Sequence, residues 1–192
     1  MERIANKITC EMVMHSIISD DEDTREYYVY GLQLVISAML TFIAMIIVAA
    51  ISGHILECIL FTAFFCPLRS LAGGYHCKRF SSCFILSLSL WIILVFMLVL
   101  NVFSHIILLS ILITFANMYI LFNAPMEHKN NPLSQDEMKV FRKHILILLL
   151  LNNICYGLCI MFKAYDYALI LCYSMVAIAF LMIKERLGGE KI

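Results

Sequence analysis

The sequence predicts an all-α, polytopic integral membrane protein with about six membrane-embedded helices and an amphipathic helix at the N-terminus. Three observations lead there. Uncharged apolar runs stand at residues 31–52, 83–103, 106–122, 145–162 and 167–183. Each reaches or approaches the ~20 helical residues that cross a hydrocarbon core. Charged residues make up only 15% of the chain against 62% hydrophobic ones, where a soluble domain carries about 25% charged residues. The cations, finally, gather in alternate connections between the runs.

Residues 1–18 come first. Glu2, Arg3, Lys7 and Glu11 interrupt this segment, so it is not expected to be a cleavable signal peptide, which needs an unbroken apolar core. Ile4, Ile8, Met12 and His15 share a helical stripe opposite Arg3 and Lys7. That pattern suits a helix lying in the membrane interface or packing on the protein's own cytoplasmic face. Ser19-x-x-Glu22 and Ser134-x-x-Glu137 both read as capping boxes, the second starting a helix that runs through Lys139, Arg142 and Lys143 into the 145–162 run.

A sixth run, 55–66, is short and contains Glu57. It is either a tilted crossing lengthened by its flanks or half of a re-entrant hairpin. Charge counting chooses between them. With six crossings and a cytoplasmic N-terminus, thirteen of the fourteen Lys and Arg residues lie inside, all except Lys163. Without the sixth crossing the better orientation gives ten against four. The positive-inside rule therefore favours six crossings with both termini cytoplasmic. The expected organisation is one transmembrane domain over 1–192, with an interfacial N-terminal region at 1–30, a catalytic loop at 67–82 and a cytoplasmic loop at 123–144.

Between the second and third crossings lies the one polar island, Cys66-Pro-Leu-Arg69-Ser-Leu-Ala-Gly73-Gly74-Tyr-His76-Cys77-Lys-Arg-Phe-Ser-Ser-Cys83. A thiol beside an imidazole is the minimum equipment of a cysteine nucleophile, because the base raises the thiolate fraction. On one continuous helix His76 and Cys83 would lie about 10.5 Å apart along the axis, beyond the ~3 Å over which a base acts. The chain must therefore break between them or use an intervening group, and Gly73-Gly74 can supply a bend. From the residues alone, Cys66, Cys77 and Cys83 are nearly even candidates. The eight cysteines show no CxxC spacing and mostly sit in apolar runs, where cysteine packs as a small hydrophobe. No disulfide framework is expected. Zinc binding by His76 with Cys66, Cys77 and Cys83 fits no familiar spacing, so no metal and no cofactor is expected. A net charge of zero argues against nucleic acid as a partner.

Arg69-x-x-x-Gly73-Gly74-Tyr75-His76 followed by Cys83 resembles the signature of the accessory gene regulator protein B (AgrB) family. Asn123-Ala124-Pro125 with Pro132-Leu133 resembles that family's cytoplasmic loop. Those proteins are bacterial membrane endopeptidases that process precursors of cyclic signalling peptides. The resemblance implies Cys83 as nucleophile, His76 as its base, and Arg69 and Gly74 as supporting or substrate-binding residues. It further implies cleavage near the C-terminal end of a small quorum-sensing precursor through a thioester, then closure to a thiolactone or lactone. The expected partners are that peptide, the lipid bilayer and a second copy of the chain in a homodimer, with the active site on the cytoplasmic side. Two other readings of the same residues are a non-catalytic transporter using Glu57 and the basic loop, and a membrane redox sensor or scaffold using Cys77 or Cys83.

Overall fold

A computed structural model of the chain describes residues 2–73, 80–100, 106–126 and 134–189. Among them there are seven helices and no strand: α1 (Glu2–Met14), α2 (Glu22–Ser52), α3 (Ile55–Ala72), α4 (Phe80–Val99), α5 (Ile106–Asn123), α6 (Gln135–Met161) and α7 (Tyr165–Gly189). The six from α2 to α7 are long and apolar enough to cross a membrane. The all-α, multi-pass expectation therefore stands.

The short 55–66 run becomes part of an 18-residue helix, α3, which continues past Cys66 through Pro67 and Arg69 to Ala72. At 1.5 Å per residue it is about 27 Å long, close to the ~30 Å hydrocarbon thickness. By length and composition it is able to cross a membrane. Apolarity stops at Cys66, but a helix does not have to stop where its apolar run does. The same effect shortens the polar connection: helix covers residues 67–72 and 80–82 of the stretch expected as loop.

Helix starts are set by their caps. At α6, Ser134 Oγ accepts from the Glu137 N–H at 3.3 Å while the Glu137 carboxylate accepts from the Ser134 N–H at 2.9 Å, the reciprocal box expected. The Ser19–Glu22 box does not form. Asp21 caps instead, its carboxylate accepting from the Thr24 N–H at 2.8 Å and from the Ser19 hydroxyl. Because α2 begins at Glu22, the residue immediately before it holds the capping position, and Ser19 lies too far back.

The described chain packs as two compact units. One comprises the described residues of 1–48 and 77–89. In it, α1 buries Ala5 and Thr9, while Ile4 and Ile8 remain 57% and 38% exposed. The stripe read from the sequence thus faces outward, as an interfacial helix requires. Small residues one position round make the protein contact.

The other unit comprises the described residues of 49–76 and 90–192, and α7 is its centre. Two thirds of the spanning part of α7 is buried (67%), against 28% or less for every other spanning helix. Helices α3, α5 and α6 all pack on it. Ala168, Ser174, Ala177 and Ala179 on α7 are buried, and small residues let neighbouring backbones approach closely. Facing stripes are Cys58, Phe61, Phe65, Leu68 and Ala72 on α3, and Leu109, Ile113, Ala116 and Ile120 on α5. An aromatic cluster binds α3, α4 and α7. Phe61 stacks on Phe65 at 4.9 Å and lies 5.9 Å from Trp91 and 6.1 Å from Tyr173. Polar bonds join α5 to α6, Ser110 to Tyr156 at 2.9 Å and Asn117 to Asn153 at 2.8 Å. Bonds of this kind hold membrane helices together where burial from lipid gives little drive.

Candidate active site

Helix α3 places the first expected site residue. Its buried stripe repeats every three or four residues and ends at Ala72, which is fully buried. Arg69 sits in the last turn, where a cation complements the negative end of the helix dipole. Its Nη1 donates to the Gly73 carbonyl at 2.6 Å. Gly73 ends the helix with φ at 76°, a conformation that glycine adopts without a steric penalty. Of the Gly73-Gly74 pair expected to bend the chain, Gly73 takes the positive φ and Gly74 lies outside the described residues.

A second segment meets this helix end. After α5 closes at Asn123, the Ala124–Pro125 bond is cis and the Met126 N–H donates to the Ala72 carbonyl at 2.9 Å. A Cβ at Gly73 would stand 2.8 Å from the Met126 carbonyl oxygen. From α7, Arg186 Nη1 reaches Asn123 Oδ1 at 3.0 Å. The beginnings of the two motifs, far apart in the sequence, thus share one end of this unit.

Cys83 is exposed and lies in the first turn of α4. His76, Gly74 and Cys77 lie outside the described residues. Of the four expected site residues the structure therefore places Arg69 and Cys83.

The other described cysteines sort by burial. Cys58 and Cys172 are buried, and Cys172 Sγ donates to the Leu109 carbonyl at 3.3 Å. Cys155 and Cys159 are half-buried, while Cys10 and Cys66 are exposed, and all are free thiols. Exposure alone would not separate Cys66 from Cys83. They belong to different helices, Cys66 to α3 and Cys83 to the first described turn of α4. Among the described residues no group of three or more His, Cys, Asp or Glu is placed to hold a metal ion.

Glu57 is in the first turn of α3, its carboxylate 3.6 Å from His54 Nδ1. Twelve residues of helix, about 18 Å, separate it from Arg69. It belongs to the opposite end of the helix. A cleft of about 910 Å³ lies in the N-terminal unit among Glu2, Asn6, Arg25, Glu26 and Gln33. Its lining includes neither cysteine nor histidine, so it holds no nucleophile of the kind sought.

Sequence reasoning missed Met126 as the residue that meets the end of α3, and Arg186 as the partner of Asn123. The signal available was topological: two predicted crossings, 83–103 and 106–122, separate the motifs, which puts both on the same side of the membrane.

A family model described as Accessory gene regulator B matches residues 1–183. No curated protein and no solved structure matches the chain. The family match spans every spanning helix almost to the end of α7, including Arg69, Cys83 and the Asn123–Met126 segment. This multi-pass membrane protein belongs to the accessory gene regulator B family.

Proposed function

We propose that the chain is a membrane cysteine endopeptidase that processes a small quorum-sensing precursor peptide on the cytoplasmic side. The observation that carries this reading is the family match over residues 1–183, joined to an exposed thiol at the opening of α4. His76 takes the proton from the Cys83 thiol, and the thiolate attacks a peptide carbonyl near the precursor's C-terminal end. The C–N bond breaks as the imidazolium returns the proton to the leaving amine, leaving an acyl thioester on Cys83. An internal thiol or hydroxyl of the peptide then attacks that thioester. Its proton passes to the departing Cys83 sulfur, and a thiolactone or lactone ring closes. A thioester suits the task because it keeps the acyl-transfer potential that ring closure needs. Arg69 and Gly74 support the site, Arg69 at least through the Gly73 carbonyl.

The direct test incubates purified protein with precursor peptide and maps the acylated residue by mass spectrometry. A hydroxylamine-sensitive adduct on Cys83 is expected. Processing without any cysteine adduct, or with one on Cys77, overturns the assignment.

Orientation is tested separately. A cytoplasmic site is supported by the positive-inside rule, since six crossings with the N-terminus inside leave thirteen of the fourteen cations on that side. Single cysteines substituted for Arg3, Lys78, Lys139 and Lys163 are treated with a membrane-impermeant thiol reagent on intact cells. Only position 163 should label. Labelling of position 78 without permeabilisation would move the site to the other face.

A further inference from the structure

We propose that Gly73 is a positioning residue for the reaction, and that the main chain of Met126 is its counterpart. Together they clamp the exit of α3, so that the segment carrying His76 leaves from a fixed point. The inference rests on the reading of Cys83 and His76 as nucleophile and base.

Three contacts meet at this helix end. The Ala72 carbonyl, one of the last in α3 and without an intrahelical donor, accepts the Met126 N–H at 2.9 Å. The Gly73 carbonyl accepts from Arg69 Nη1 at 2.6 Å. The Met126 carbonyl oxygen comes so close to Gly73 that a Cβ would sit 2.8 Å from it and 3.3 Å from the Met126 Cβ. Glycine is thus required on two independent grounds, the positive φ of 76° and the space. A helix can end against solvent on a local turn, which sets its conformation but not its place relative to another element. Here the end is bound to the segment after α5, and the last residue of α5, from which that segment leaves, is held to α7 by the bond from Arg186 to Asn123.

The place of the helix end matters because the proposed base is tethered to it. His76 is three residues beyond Gly73, a reach of about 10 Å when extended. A general base works only within about 3 Å of its proton. Displacing the origin of so short a tether displaces its end, and a misplacement of ~1 Å can cost on the order of a hundredfold in rate.

The test measures the first turnover with precursor peptide, separating the fraction of Cys83 that can be acylated from the rate constant of acylation. Gly73→Ala is expected to keep the acylated fraction and lose roughly ten- to a hundredfold in rate constant. Met126→Pro, which removes the donor N–H, should behave likewise. Met126→Ala should react as the wild type does, because both contacts are made by the main chain. Gly73→Ala acylating at the wild-type rate would overturn the proposal. So would a reduced fraction with an unchanged rate constant, the signature of partial misfolding. Hydrogen exchange on the wild type decides the matter if the variants do not fold: the Met126 amide should exchange slowly, and fast exchange there removes the clamp. A wild type that forms no Cys83 adduct while protecting that amide would defeat the catalytic reading, and with it the positioning role, although the contact itself stands.

Discussion

Cys83→Ala and Cys83→Ser are each expected to reduce precursor cleavage to below about a thousandth of the wild-type rate, because removal of the proposed nucleophile would leave only what binding alone provides. Serine does not substitute: its hydroxyl needs a much stronger base than an imidazole tuned to a thiol. His76→Ala loses roughly a hundred- to ten-thousandfold, the usual contribution of a positioned general base. Cys66→Ala, Cys77→Ala and Cys155→Ala keep their activity. Arg69→Ala weakens cleavage without removing the nucleophile, since it loses the guanidinium that holds the Gly73 carbonyl. The measurement is release of the C-terminal fragment from a labelled precursor by protein reconstituted in lipid, with each variant first shown to be folded. Normal processing by Cys83→Ala would defeat the proposed mechanism.

A large effect on stability is expected at Phe61. Its ring is 1% exposed, stacked on Phe65 and close to Trp91 and Tyr173, so it joins three helices. In lipid, truncation does not lose a transfer from water, because the surrounding tails are themselves apolar. The lost packing and the cavity remain. At about 24 cal/mol per Å³ over roughly 100 Å³, Phe61→Ala costs about 2 kcal/mol. Phe115 and Phe122 on α5 are 71% and 73% exposed and supply the control, since lipid fills the space their rings leave. Denaturant or thermal unfolding of the purified variants checks both. A shift for Phe115→Ala as large as that for Phe61→Ala would mean that the inward faces are wrongly assigned.

Properties that are local along the chain could be read from the residues directly. Six spans were legible because a crossing is a matter of about twenty consecutive residues. The start of α6 was legible because Ser134 and Glu137 satisfy each other within one turn. Arg69 and Cys83 were legible as candidates because they belong to a short pattern, and the structure places Arg69 at a helix end and Cys83 at a helix start. One local reading failed even so. Ser19 and Asp21 both resemble caps, and only where α2 begins decides that Asp21 serves.

Which faces turn inward, and what meets at the site, emerged only in three dimensions. The spanning window of α2 is more apolar than that of α7, yet it is 17% buried against 67%. In water the more apolar helix would go to the centre. In a bilayer lipid accepts apolar surface as readily as protein does, so hydropathy cannot rank helices by burial, and small residues and close packing set the order instead. The pairing of Ala72 and Gly73 with Met126 was equally invisible, because it joins main-chain atoms of distant segments and leaves no periodicity or spacing to read. Its one trace in the sequence is a glycine, and a glycine does not say what stands against it.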